Sequence, residues 1–515
     1  MKQLLPIDFV SPGSAGLNLQ NKGGILPPNW ATKALNCVLD DSRRLACRPG
    51  YEVTTTTAID PAVDVDVVFE YLDGAGNSEV LLTYDGGMSN DITDPEGSDI
   101  SGAVTDTSGV WWLQNFNGKV IGFQNGQKPV VYSGTTFATV SESSGTAPTS
   151  KGGIGLCAYG RVWGLDSDGQ TIKYSGLLDE TDWGTASAGS IDMSKVWTKG
   201  MDEVTAIGAF NSSLVVFGKD HIVIWDDDTG SVIGFDPVNA IVVDVIAGTG
   251  CLSQRTVQSV GDSDLLFVSR NGLQSLGRVV VQKSNPLEDV SKYVRDDLNQ
   301  SITRAGVANI FSAYSPEEGW YLLVTPDVNN PQTWCFDVKN AFQDGEGSAI
   351  YPATTWDLVP KSLCVKQDGT ILFGTAAGEV CTLGQDTDDG ASITYQYHTP
   401  WLDLGEDIGN RLKLLKRIGS ILYSRASATV NYKWSTDFNE VNVGTVQYEL
   451  VNTASAEWNL AEWGSSEWAG ALALQIVKIN ARASAQYYKI KVESLSQAGF
   501  AVQQLELFAK IGRVA

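Results

Sequence analysis

Histidine is nearly absent from this 515-residue chain: His221 and His398 are the only two, beside 4 methionines. Imidazole is the usual proton carrier near neutral pH and the commonest zinc ligand, so general acid–base and zinc chemistry have little to draw on. Seven cysteines (Cys37, Cys47, Cys157, Cys251, Cys335, Cys364 and Cys381) form an odd, scattered set without a Cys-x-x-Cys. That pattern fits free, buried thiols in a protein made in a reducing cytoplasm. No run approaches the roughly 18 apolar residues of a membrane-spanning helix. Met1–Val10 interrupts its apolar start with Pro6 and Asp8, which makes a poor secretory signal. Positive charge is also scarce, with 36 Lys/Arg against 60 Asp/Glu.

The deficit is uneven. Residues 391–515 hold 12 basic and 11 acidic side chains, whereas residues 1–390 hold 24 and 49. An acidic body does not attract a phosphate backbone, which argues against specific DNA or RNA binding. The charge serves solubility, or it forms a wall that nucleic acid passes without sticking.

Glycine is abundant, at 53 residues, and it punctuates short runs of Val, Ile, Thr and aromatics. One hairpin recurs. Phe116–Phe123 leads through Asn125-Gly126 to Val131-Tyr-Ser-Gly134, and Tyr159–Leu165 leads through Asp168-Gly169 to Lys173-Tyr-Ser-Gly176. Looser copies join Leu214–Phe217 to Ile222–Trp225, Leu265–Val268 to Leu273–Leu276, Trp320–Val324 to Thr333–Phe336, and Ile371–Gly374 to Glu379–Leu383. An earlier member is Val80–Tyr84 with Asp85-Gly86-Gly87. Asn-Gly and Asp-Gly accept the positive φ of tight hairpin turns. A period of 40 to 56 residues is that of propeller blades, which bury their faces only by closing a ring. The expected fold class is therefore all-β: a β-propeller of six or seven blades over 54–390, with a β-sandwich array as the structural alternative. Past Gly390 longer alternating stretches, Arg411–Ile418, Ala428–Trp434, Tyr487–Val492 and Phe500–Phe508, predict a C-terminal β-sandwich over 391–515. Residues 1–53 carry Pro6, Pro12, Pro27, Pro28 and Pro49, which forbid a long helix and predict an extended N-terminal arm with room for a short helix around Trp30–Asn36.

Motifs for chemistry are weak. Asp166-Ser-Asp168-Gly169 and Asp386-Thr-Asp388-Asp389-Gly390 begin like calcium loops, but the twelfth positions are Leu177 and Tyr397, not a bidentate Glu. Ser435-Thr-Asp437-Phe-Asn439 is like the Asp-box hairpin of sialidase-type propellers, a folding element. A glycosidase would need a pair of carboxylates, and none is singled out. No Gly-x-Ser-x-Gly elbow and no phosphate loop occurs. No catalytic residue, metal ligand or cofactor is therefore assigned. Asp226-Asp227-Asp228 is a steep charge at a strand end, either a solvated turn or part of a negative channel lining. Glu457-Trp458, Glu462-Trp463 and Glu467-Trp468 repeat at five, a period of neither helix nor strand. Trp458, Trp463 and Trp468 pack on their own domain or form an interface with another chain.

The amino-terminal motifs are more specific. Ser14-Ala-Gly-Leu17-Asn18-Leu19, Ile25-Leu-Pro27-Pro28, Ala31-Thr-Lys-Ala-Leu-Asn36 and Arg44-Leu-Ala-Cys-Arg48-Pro-Gly50-Tyr51 resemble the opening of tail nozzle or hub proteins of short-tailed bacteriophages. A second resemblance is Tyr174-Ser-Gly-Leu-Leu-Asp-Glu-Thr-Asp182-Trp183, similar to that family's strand ending Tyr-Ser before a D-x-x-D-W segment. The match spans most of the chain as an order of short motifs, with little of it in 54–110 and 280–390. The resemblance implies a non-enzymatic β-propeller protein of the virion tail, assembled in the host bacterial cytoplasm as a homohexamer ring below the portal and adaptor. It also implies fibre, spike or needle proteins as partners, and genomic DNA passing through the lumen without specific binding. An acidic lumen would let DNA slide, where a basic one would hold it. A bacterial β-propeller glycan-binding protein or glycoside hydrolase is the competing reading.

Overall fold

The computed structural model describes residues 5–20, 26–59, 63–84, 87–97, 99–102, 104, 110–197, 200–227, 234–261, 264–281, 290–343, 349–403, 411–424, 427–450 and 474–514. Two compact units divide the chain. One comprises 53–331 and 359–383, the other 1–52, 332–358 and 384–515.

The first unit is a seven-bladed β-propeller. Blades 2, 3 and 4 are four-stranded antiparallel sheets: Trp112–Phe116 to Phe137–Thr139, Gly155–Ala158 to Gly189–Asp192, and Val204–Phe210 to Ala240–Ala247. Blade 1 has the strands Val65–Leu72, Ser78–Tyr84 and Gly87–Ser89. Blade 5 has Gln258–Val260, Asp264–Ser269 and Gly272–Ser275, and is followed by the helices Leu276–Val281 and Arg295–Ala305. Blade 6 contributes the hairpin Phe311–Ser315 with Trp320–Thr325. Blade 7 contributes Ser362–Val365, Ile371–Gly374 and Val380–Gln385. The first strand of each blade lies beside the first-strand region of the next, and Ser362–Val365 of blade 7 returns to Val65–Leu72 of blade 1, which closes the ring.

Closure follows from what each sheet must bury. Apolar side chains of neighbouring blades share clusters: Tyr71, Leu81 and Trp111 between blades 1 and 2, and Trp163, Ile172, Ile207 and Val216 between blades 3 and 4. Val65, Val68, Leu82, Cys364 and Leu372 fill the seam between blades 7 and 1. The seam is also hydrogen-bonded, because the N–H groups of Thr54 and Thr55 reach the Val380 carbonyl at 2.8 and 3.3 Å. The hairpins expected from sequence are the second and third strands of the blades, except that Thr333–Phe336, expected to pair with Trp320–Val324, lies in the other unit. In blade 2 the connection before them turns at Asn117-Gly118, both with positive φ (49° and 69°), as a two-residue hairpin turn requires.

The second unit is a β-sandwich. One sheet runs Cys37–Leu39, Leu45–Cys47, Ala501–Val514, Arg411–Tyr423, Leu474–Ala485, with Leu5–Val10 also paired to Ala501–Val514. The other, within this unit, orders Gln332–Asp337, Ala353–Trp356, Lys33–Leu35, Ile393–His398, Tyr488–Ser496, Ala428–Thr436, Asn439–Leu450. The faces meet through aromatic side chains. Tyr395 lies 5.0 Å from Phe500, ring to ring, and the Tyr488 hydroxyl donates to the Lys413 carbonyl at 2.5 Å.

Two expectations change here. The propeller is not one continuous stretch over 54–390. Residues 332–358 belong to the sandwich unit because Gln332–Asp337 pairs with Ala353–Trp356, which in turn lies parallel to Lys33–Leu35. The amino-terminal arm is extended, but its strands are built into the sandwich. The helix around Trp30–Asn36 does not form: Lys33–Leu35 is a strand against Ile393–His398. A one-turn helix would forfeit those ladder bonds and gain almost no internal ones.

Candidate functional site

The family-signature residues of the amino terminus converge. Asn36 sits at φ +54°, in the left-handed region that Asn tolerates better than most residues, and it is wholly buried. Its amide Nδ2 donates to the Thr394 carbonyl at 2.8 Å. Its Oδ1 accepts from Arg48 Nε and from the Asp357 backbone N–H, each at 3.0 Å. Arg48 is 1% exposed and forks onto Asp388, with Nη1 to Oδ1 at 2.8 Å and Nη2 to Oδ2 at 2.7 Å. It also donates to the Pro49 carbonyl at 2.9 Å and to Asp357 at 3.3 Å. Burial alone would lower the guanidinium pKa, but the carboxylates of Asp388 and Asp357 outweigh it and raise the value. Gly50 follows because nothing larger fits: a Cβ there would stand 2.1 Å from the Thr387 carbonyl oxygen. The joint ties the amino-terminal strands, 332–358 and the segment after Gly384 together.

The other signature residues support the same unit. Leu17 is buried and its N–H donates to the Ala353 carbonyl at 2.8 Å, while the buried Asn18 donates its N–H to Ala31 at 2.9 Å. The Pro27 carbonyl accepts from the Trp30 N–H and that of Pro28 from the Gly13 N–H. Asp182 and Trp183 lie elsewhere, in blade 3, as a two-residue strand parallel to Ser144–Gly145. The Asp182 carboxylate accepts from the Thr185 hydroxyl and from the N–H groups of Gly184 and Thr185, which hold its pKa low. The Trp183 indole donates to the Glu180 carbonyl at 2.9 Å. These residues fix a loop between the third and fourth strands of the blade.

Each of the two histidines faces a carboxylate. His221 is buried with Nδ1 at 2.9 Å from Asp202, whose carboxylate also accepts the N–H groups of Glu203, Lys219 and Asp220. Burial would raise the Asp202 pKa, but those bonds lower it. His398 lies 3.1 Å from Glu493, which also takes Lys433 at 2.6 Å. Burial, the leading influence, pushes the imidazole down to about 4, so it is neutral at pH 7. None of the seven cysteines is in a disulfide, and burial raises the Cys47 and Cys364 thiols to about 12 and that of Cys251 to about 11. Among the described residues no group of three or more His, Cys, Asp or Glu could hold a metal ion. Asp168 accepts from the N–H groups of Gln170 and Thr171, Asp388 is held by Arg48, and Asp437 accepts from those of Gln486 and Tyr487; each carboxylate stabilises a turn or joint.

Asp226 and Asp227 end the third strand of blade 4, two strands out from the innermost one, and are half-buried. The propeller's own axial hollow is lined by other residues. Asp228, Trp458, Trp463 and Trp468 lie outside the described residues. Sequence reasoning missed Asp388 as the partner of Arg48 and Asp202 as the partner of His221. The first pair is 340 positions apart, and no local pattern marks it.

No protein-family profile and no curated protein matches the chain. Among solved structures it is similar to the WD40 β-propeller domain of Doa1, at 13% identity over 66% of this chain and 98% of that one, with a TM-score of 0.37. A chain of the mitotic checkpoint complex matches at 9% identity over 65% and 92%, with a TM-score of 0.36. The computationally designed Ika8 protein matches at 10% identity over 69% and 99%, with a TM-score of 0.34. The fold assignment rests on the sheet order and ring closure above.

Proposed function

We propose that this chain is a structural subunit of a ring-shaped channel, the tail nozzle or hub of a short-tailed bacteriophage. Six copies continue the DNA path below the portal and adaptor and carry fibre, spike or needle proteins. The observation that carries the reading is the joint of Asn36, Arg48, Gly50 and Asp388. Three of the signature residues on which the resemblance rests, Asn36, Arg48 and Gly50, meet with Asp388 in one buried device, so they are required together.

Charge supports the reading. The propeller unit holds 17 Lys/Arg against 38 Asp/Glu, a formal charge of −21, whereas the sandwich unit holds 19 against 22. An acidic wheel repels the duplex, which favours passage over capture. The hollow within the propeller, about 230 Å³, is far too small for duplex DNA, so the channel belongs to the ring of copies. Surface apolar groups support self-contact. Ala240–Ala247 is the outermost strand of blade 4, and Ile241, Val242 and Val243 are 47%, 40% and 58% exposed on it. An apolar edge strand invites pairing unless something covers it. Asp226 and Asp227, in register with Ile241 and Ala240, are placed by this reading near the lumen. The test is the rate of DNA release from particles carrying Asp226→Lys and Asp227→Lys: slower release is expected, and unchanged kinetics would count against a channel wall there.

A further inference from the structure

The propeller's axial hollow holds unused hydrogen-bond donors. It is lined from the innermost strands of blades 1, 2, 5, 6 and 7 and from the single turn Gln254–Thr256 that precedes blade 5. Most polar groups there are engaged. Gln258 Nε2 donates to the Ser312 carbonyl at 2.9 Å, the Ser312 hydroxyl to the Arg255 carbonyl at 3.3 Å, and the Ser362 hydroxyl to the Val65 carbonyl at 2.8 Å.

Arg255 is different. Its guanidinium stands 4.8 Å over the Phe311 ring, and among the described residues it makes no hydrogen bond and no ion pair. Burial lowers its pKa to about 10, against a raising influence from Asp66, and it remains a cation at neutral pH. Trp111 and Trp112 also border the hollow but turn to opposite faces of blade 2, Trp111 into the cluster with Tyr71 and Trp112 against that with Phe123. A half-buried guanidinium without a hydrogen-bond partner is left with its donors unpaired unless an acceptor enters the hollow.

We propose that this hollow binds a small carboxylate, which the edge of the Arg255 guanidinium receives as a bidentate partner while its face stays stacked on Phe311. A planar guanidinium matches a carboxylate's two oxygens, and the apolar wall of Val68, Leu113 and Phe311 suits a short carbon chain. Its volume, about 230 Å³, admits a small organic acid or the end of a peptide and excludes a polymer. Asp66 shares the space, so it weakens the binding of any anion.

Calorimetric titration of the full chain tests this, with glutarate as the free acid and a short peptide ending in a free or an amidated C-terminus. Wild type is expected to bind glutarate, the free-ended peptide or both in the millimolar range or tighter. Arg255→Gln should weaken binding at least about tenfold and Asp66→Asn should tighten it several-fold, with thermal unfolding checking that each variant is folded. Glutarate alone or the free-ended peptide alone would identify the source of the carboxylate. Three results would overturn the proposal: no binding by wild type, equal binding of the free and amidated peptides without glutarate binding, or unchanged affinity in folded Arg255→Gln. Sulfate or phosphate binding without carboxylate binding would overturn it too. Should Arg255→Gln not fold, the Asp66→Asn result decides, since a site elsewhere would leave it neutral.

Discussion

Arg48 joins segments of the sandwich unit that lie far apart in the sequence, because it is wholly buried and forks onto Asp388. Removing one member of a buried pair leaves the other charge without compensation, at about 3–5 kcal/mol. Arg48→Met should therefore lower stability by about that much in urea unfolding. Arg48→Met combined with Asp388→Leu should recover part of the loss, since an apolar replacement of both partners removes the stranded charge. A single-variant loss below about 1 kcal/mol would show that the joint does not hold the unit together. His398 gives a pH-dependent signature. In the unfolded chain its imidazole takes a proton near pH 6.5, while the folded protein withholds it to about 4. The unfolded state then binds more protons between those values. The stability contribution is present above pH 6.5 and lost as pH falls toward 4, by up to about 3 kcal/mol. His398→Gln should flatten the stability profile in that window, measured as the difference from wild type. A parallel profile would contradict the assignment.

At the scale of elements, the blades were legible where two conditions met. Their second and third strands are buried on both faces, as in Leu214–Phe217 and Ile222–Ile224, and tight Gly-containing turns separate many of them. Buried apolar runs and turn chemistry are both local, so they appear in the sequence. The innermost strands were not legible. Val65–Leu72, Gln258–Val260 and Ser362–Val365 mix Asp66, Gln258 and Ser362 among apolar residues, and each borders the axial hollow. The passage of 332–358 into the sandwich was equally hidden, since it depends on a parallel pairing of Leu35 with Thr355 across more than three hundred residues. Of the site, Asn36, Arg48 and Gly50 were visible as a motif, but their meeting with Asp388 was not. The outer strand Ala240–Ala247 provides a test at this scale. Ile241→Lys with Val243→Lys should reduce self-association while changing protomer stability by less than about 0.5 kcal/mol, as surface substitutions do. Sedimentation and thermal unfolding on the same samples separate the two effects. Unchanged association would remove this edge from the interface.

For the whole molecule, the division of charge matters most. A propeller unit at −21 makes each added copy repel those already placed, and screening relieves that repulsion over about 10 Å at 0.1 M salt. Assembly should therefore improve from very low to moderate salt, and equal assembly at both would speak against close packing of acidic faces. Heterologous contacts between copies close a ring only at a fixed rotation, so one dominant stoichiometry is expected in place of a ladder of sizes. The most direct measurement is native mass spectrometry of the purified full chain at moderate salt, paired with negative-stain images. A closed six-copy ring with a central opening is the expected result; a stable monomer at every salt and protein concentration would contradict the assembly proposed above.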